Sequence, residues 1–147
     1  ITYRGFCGIM LENRIKNDDF EINVVSPYNS ETIKEETIRF GLSIIRTYVS
    51  NSIILVKNES LIGAGFGFPN RFEAFKRAVE QAGDNARGSI LISDGFFPFS
   101  DILDTVKEKG IALIVQPGGS INDKDMIEKA KQMNIGMIFT GKRTFRH

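Results

Sequence analysis

The sequence is short of the residues that build covalent and metal cross-links. It holds one cysteine, Cys7, and one histidine, His147, so no internal disulfide can form and a thiolate–imidazole zinc site cannot be assembled. Net charge is nearly absent as well. Nineteen Lys plus Arg against 18 Asp plus Glu leave +1 at pH 7, so no overall field favours nucleic acid or an anionic membrane surface. The apolar stretches, such as Ile111 to Val115, fall far below the roughly 20 residues needed to cross a bilayer, and no basic leader precedes one. Neither nucleic acid nor membrane is expected as a partner, no metal is expected to be required, and a cytoplasmic location is expected. No repeat, low-complexity tract or Pro/Ser-rich linker breaks the chain. Its 147 residues, 41% of them hydrophobic, predict one domain over residues 1–147. Ile1 rather than Met opens it, which fits processing or a cut from a longer chain.

What is present is periodicity. Apolar runs at Cys7 to Leu11 and Ile22 to Val25 predict an antiparallel strand pair, with the polar stretch Glu12 to Asp19 between them. A long amphipathic helix is predicted from Glu31 to about Tyr48, with Ile33, Thr37, Phe40, Ile44 and Ile45 on its apolar face. Ser52 to Val56 and Leu61 to Ala64 flank Asn58-Glu59-Ser60 and predict a hairpin. Asn70, three residues before Glu73, predicts a capping box for a helix whose stripe is Phe72, Phe75, Ala78, Val79 and Ala82. Strand (Ser89 to Ile92), helix (Ser100 to Lys109), strand (Ile111 to Val115), helix (Asn122 to Met133) and strand (Ile135 to Phe139) then alternate. Ile90-Leu91-Ile92 and Ala112-Leu113-Ile114-Val115 are apolar at every position, as in a sheet covered on both faces. The predicted fold is α/β, a three-layer α/β/α sandwich around a mixed, mainly parallel sheet.

In such folds ligands collect outside the carboxyl ends of the strands, and the unusual segments fall at those junctions. Gly63-Ala64-Gly65-Phe66-Gly67-Phe68-Pro69-Asn70-Arg71 places backbone N–H groups where they can meet an anion, or else is a tight turn packing the hairpin under a helix. It fails as a dinucleotide fingerprint, because Phe68 stands where the third glycine belongs. Ser93-Asp94-Gly95-Phe96-Phe97-Pro98-Phe99-Ser100-Asp101 sets three phenylalanines in a loop that should be polar. Either the rings plug the core, or Pro98 and helix capping by Ser100 and Asp101 hold them rigid for a planar heterocycle. Gln116-Pro117-Gly118-Gly119-Ser120 is an anion cradle or a flexible turn, with Asn122 and Asp125 capping the next helix. Lys142 to His147 is a frayed terminus or a strap carrying Arg143 to the same rim as a bidentate phosphate clamp.

The combination of SDGFFPFSD, a strand ending QPGGS, and a terminal TGKRTFRH, in that order and spacing, closely resembles the end of bacterial aminoimidazole carboxamide ribonucleotide (AICAR) transformylases, usually the C-terminal part of a bifunctional protein with IMP cyclohydrolase. Upstream, SNSIILVKNESLIGAGFGFPNR resembles that family's Ser-Asn strand and glycine turn, and FCGIMLE the strand that opens the subdomain. The resemblance covers nearly the whole chain. It implies a cytidine-deaminase-like α/β/α fold without zinc, and formyl transfer from 10-formyltetrahydrofolate, as co-substrate, to the 5-amino group of AICAR in purine biosynthesis. Carried over, Asn51 would hydrogen-bond the AICAR carboxamide, Arg71 and Arg143 would hold the nucleotide, Phe96 would lie beside the reacting groups and Phe145 would back the arginine. Asn70, Phe97, Pro98, Phe99 and Asp101 would border the folate. The family's Gln-Met or Gln-Ser before the arginine is replaced by Phe68-Pro69-Asn70, and its Arg before the loop's final Asp by Ser100.

The resemblance also implies what is missing. The family's catalytic Lys-His pair belongs to the preceding half, so no catalytic residue is assigned in this chain, and the isolated 147 residues are expected to be inactive. The implied partners are AICAR, a folate, the N-terminal transformylase half and a second copy in a homodimer. Two other functions stay open: a non-catalytic nucleotide- or folate-binding module, and a pure dimerisation element.

Overall fold

Alternation inside the apolar strands sorts their side chains to the two faces of one sheet. The computed structural model describes residues 2–4, 10–12, 20–98 and 100–146. Two short strands, β1 (Thr2–Arg4) and β2 (Met10–Glu12), pair antiparallel in a sheet of their own. The main sheet holds β3 (Asn23–Ser26), β4 (Ile53–Lys57), β5 (Ser60–Gly65), β6 (Ile90–Ser93), β7 (Leu113–Gln116) and β8 (Gly136–Phe139), in the order β3-β8-β7-β6-β4-β5. Ile53 and Leu55 of β4, Leu91, Ile114 and Met137 face a core built with α2 (Arg71–Ala82), α3 (Ile102–Glu108) and α4 (Asp123–Gln132). Ile54, Val56, Ile90, Ile92, Leu113, Val115 and Ile138 face the opposite core, against α1 (Glu35–Ile45). The result is the expected α/β/α sandwich, with three helices on one face and one on the other.

Parallel pairing is confined to β6-β7-β8, where α3 and α4 make the crossovers. The β3–β8, β4–β5 and β4–β6 pairs are antiparallel, so the sheet is mixed but not mainly parallel. The expected pairing of the run Ile22 to Val25 with the run ending at Leu11 is also corrected. β3 adds to the edge of β8, where the Ser26 hydroxyl donates to the Ile135 carbonyl at 2.8 Å, and β2 takes β1 instead. The start of that first apolar run, Cys7 included, lies outside the described residues, as do the polar residues 13–19.

Helix α1 begins later than the sequence suggests. Asn29 draws the preceding segment into a turn, its Oδ1 accepting from the Glu31 N–H and its carbonyl from the Ile33 N–H. The buried face of α1 is Thr37, Ile38, Gly41, Leu42 and Ile45, so Phe40 and Ile44 move to its flank. Helix α2 starts as predicted, with the Asn70 side chain accepting from the Glu73 N–H. Phe72 leaves its buried stripe and lies about half exposed, beneath the Lys76 ammonium. Asn58 and Glu59 turn the β4–β5 hairpin with positive φ (49° and 54°), as a two-residue hairpin turn demands.

Candidate functional site

Because β4 runs against β6, the amino end of β4 meets the carboxyl ends of β5 and β6 at one rim. The loops leaving β6 and β7 and the tail leaving β8 reach the same end of the sheet. This geometry gathers five of the residues named from the sequence. Nη2 of Arg71 donates to Oδ1 of Asn51 and to Oδ1 of Asp94, both at 2.9 Å, and Nη1 donates to the Phe96 carbonyl at 3.3 Å. The Arg143 guanidinium lies 4.6 Å from the Phe96 ring centroid and 5.6 Å from that of Phe145, and the Arg71 guanidinium lies 5.8 Å from the Phe145 centroid. Asn51, Arg71, Phe96, Arg143 and Phe145 thus form one cluster drawn from four chain segments.

Their commitments differ. Nδ2 of Asn51 donates to the carbonyls of Phe68 (3.1 Å) and Pro69 (3.2 Å), while its oxygen accepts from Arg71. Both ends of that amide are therefore engaged by the protein, and a ligand carboxamide would have to exchange with these bonds. Arg71 is mostly buried and tied on both terminal nitrogens. Arg143 is exposed, and among the described residues no carboxylate or carbonyl accepts from its guanidinium; only the two rings hold it.

The glycine turn is explained by packing. A Cβ at Gly63 would overlap the Ala78 carbonyl oxygen, and one at Gly65 the Ala74 carbonyl oxygen, so both glycines let α2 lie directly on β5. Gly95 has a different purpose: a Cβ there would strike the Arg71 guanidinium and the Phe145 ring, so the bare backbone forms the floor on which those groups rest.

The residues assigned to a folate are less unified. Phe97 is 4% exposed and its ring packs in the core, its N–H donating to Oε1 of buried Gln116 at 2.9 Å. Pro98 is exposed, its carbonyl accepting from Nδ2 of Asn122 at 2.8 Å. Asn70 caps α2, and Asp101 stands exposed at the start of α3 without a side-chain capping bond, contrary to the expected cap. Phe99 and His147 lie outside the described residues.

The Gly118-Gly119-Ser120 cradle is already filled. Asp123 accepts from the N–H groups of Gly119 (2.8 Å) and Ser120 (3.2 Å), so the anion in this turn is the chain's own carboxylate; Asn122 stands at the N-cap of α4 but makes no side-chain cap bond. The tail is a strap rather than a frayed end over residues 142–146. The Thr144 N–H donates to the Asp94 carbonyl, and the Ser50 N–H to the Arg146 carbonyl at 2.8 Å.

Asp94 was not singled out from the sequence, although it stands at the carboxyl end of an all-apolar strand. A carboxylate there must be buried with a cation, and that was the available signal. It is fully buried. Among the described residues, no group of three or more His, Cys, Asp or Glu side chains could hold a metal ion, and no helix is long and apolar enough to cross a membrane.

A family model described as the AICARFT/IMPCHase bienzyme matches residues 3–81, more than half of the 147-residue chain. The chain belongs to the AICARFT/IMPCHase bienzyme family. Its similarity to members of that family runs beyond the matched segment. It is 40% identical over 147 residues to the bifunctional purine biosynthesis protein PurH of Anoxybacillus flavithermus, covering 100% of this chain and 29% of that protein. It is 39% identical over 130 residues to PurH of Bacillus subtilis, covering 88% of this chain and 25% of the relative. The chain therefore spans under a third of the length of these curated relatives. Among solved structures, Acinetobacter baumannii RibD (form 2) overlays with a TM-score of 0.48 at 17% identity, over 72% of this chain and 33% of that one. For this AICARFT/IMPCHase family member the layer arrangement rests on its own strand order and core.

Proposed function

We propose that this chain supplies the nucleotide-binding, C-terminal part of an AICAR transformylase site within purine biosynthesis. In the reaction a bond forms between the 5-amino nitrogen of AICAR and the formyl carbon of 10-formyltetrahydrofolate. The bond from that carbon to N10 breaks, the amine loses a proton and N10 gains one. The cluster carries groups suited to binding: a free guanidinium for phosphate, ring faces for a planar heterocycle, and an amide beside them. Among the described residues its one carboxylate, Asp94, is buried against Arg71, which supports assigning the proton transfers to residues outside this chain. The folate is proposed to lie along the exposed side of the Phe96–Asp101 loop, against Pro98 and Asp101 rather than Phe97.

The observation that carries the reading is the convergence of Asn51, Arg71, Phe96, Arg143 and Phe145 at one rim. Titration calorimetry with AICAR, with IMP as a comparison ligand, tests it. AICAR should bind the wild type, and Arg143→Ala should weaken it by about 2–5 kcal/mol, as loss of a charge-assisted contact does. Equal affinity in both proteins would remove Arg143 from the site and the reading with it. A second reading, a binding or dimerisation module without turnover, draws on the exposed Phe66 ring, stacked on partly buried Tyr48 (centroids 4.6 Å apart), as an apolar surface suited to a second copy. It predicts concentration-dependent dimers on sedimentation, and no formyl transfer when the N-terminal half is supplied in trans.

A further inference from the structure

The buried ion pair at the centre of the cluster calls for an account beyond packing. A buried carboxylate–guanidinium pair is seldom more stabilising than apolar groups of the same shape, because desolvation offsets the attraction. This one is also imperfectly made. Asp94 and Arg71 meet through a single Nη2 to Oδ1 contact at 2.9 Å, and that Nη2 is shared with Asn51. Arg71 Nε and Asp94 Oδ2 are both buried and lack a partner among the described residues. An arrangement serving stability alone would use the parallel two-bond geometry that Arg and carboxylates readily adopt.

We infer that Asp94 is a positioning residue that sets the charge of the site. Its carboxylate compensates Arg71, so of the two guanidinium groups that flank the Phe96 and Phe145 rings only that of Arg143 stands without a carboxylate partner among the described residues. Both cations lie near Phe145, Arg71 at 5.8 Å and Arg143 at 5.6 Å from the ring centroid, which keeps them close enough to act on one ligand. Paired in this way, Arg71 contributes directed hydrogen bonds to a neutral group, and of the two arginines it is Arg143 that contributes attraction to an anion. Such a site favours a monophosphate joined to a planar neutral heterocycle and gives little advantage to a diphosphate or triphosphate. The inference rests on the proposed nucleotide site for its ligand, but the division of charge between the arginines is independent of which nucleotide binds.

The probes are inorganic phosphate and pyrophosphate, titrated into the wild type, Asp94→Asn and the double variant Arg71→Gln/Asp94→Asn at low and high ionic strength. Asparagine keeps the shape and the oxygen acceptor while removing the charge. Asp94→Asn should bind pyrophosphate more tightly at low salt, on the order of tenfold, with the gain fading as salt screens it. Adding Arg71→Gln should cancel that gain. A purely architectural Asp94 would give weaker binding or none, never this salt-dependent gain, so equal or lower pyrophosphate affinity in Asp94→Asn overturns the inference. If Asp94→Asn fails to fold, side-chain NMR of the wild type decides. Arg71 should then show a hindered guanidinium and a protected Nε–H, and Arg143 a freely rotating one; the reverse pattern overturns it. Failure of AICAR to bind, with the pyrophosphate gain intact, would remove the nucleotide reading and leave the charge division standing.

Discussion

Gly95 has no side chain, yet the cluster depends on it. A Cβ at this position would press on the Arg71 guanidinium and lie 2.7 Å from Cε1 of Phe145. Both obstructing groups are the ends of long side chains, so the fold can yield where the site cannot. Gly95→Ala should therefore lower stability only by the 1–3 kcal/mol typical of an overpacked position. It should reduce AICAR affinity by a larger factor, because Arg71 and Phe145 are displaced together. Thermal melting and calorimetry on the same preparation check this; AICAR affinity equal to that of the wild type would show that the floor under the arginine is immaterial. Phe97 gives the contrasting case in the same loop. It is as aromatic as Phe96 and adjacent in sequence, but its backbone N–H is held by Gln116 and its ring enters the core. Only the path of the loop distinguishes the two, a difference that the motif carrying the family resemblance does not display.

Helix α2 shows how much of an element local chemistry decides. Asn70 accepts from the Glu73 N–H at 2.9 Å, satisfying one of the orphan donors at the helix start. Replacing it with alanine should cost about 0.5–2 kcal/mol in urea unfolding, whether or not a folate is present. A loss of folate affinity with unchanged stability would instead mark Asn70 as a ligand contact. This cap, the hairpin and the two all-apolar strands were legible in the sequence because each is set by neighbours a few residues away. The partners of the strands were less so. β3 joins β8 across a sequence separation of 109, as the Ser26 to Ile135 bond records, and nothing near Ile22 or Val25 announces that edge. The Gly119-Ser120 turn fails for a related reason. Its exposed N–H groups invite an anion, but the Asp123 carboxylate supplied by the next helix already sits there. Of the candidate site, the residue types and their convergence on the strand ends were legible, whereas Asp94 was hidden by its burial within a loop of conspicuous aromatics.

The molecule assembles the cluster from β4's amino end, the start of α2, the loop after β6 and the chain beyond β8, so the last few residues carry disproportionate weight. The strap is pinned by Thr144 N–H to the Asp94 carbonyl (3.1 Å), by both backbone groups of Arg146 to Ser50, and by Nη1 of Arg146 to the Thr47 carbonyl at 2.7 Å. Each such bond is worth about 1 kcal/mol net, and ordering each residue of the strap costs about 1–2 kcal/mol. These opposed terms are of similar size, so the strap adds little to global stability and opens far more readily than the sheet. Removal of residues 142–147 should accordingly shift unfolding free energy by no more than about 2 kcal/mol, while abolishing AICAR binding through loss of Arg143 and Phe145. A ligand that bridges the strap and the β6 loop must, by linkage, hold the strap closed. Saturating AICAR should therefore slow amide hydrogen exchange at Thr144 and Arg146, both of which donate across the strap. Bound AICAR that left those two amides exchanging at their free rate would place its binding elsewhere on the molecule.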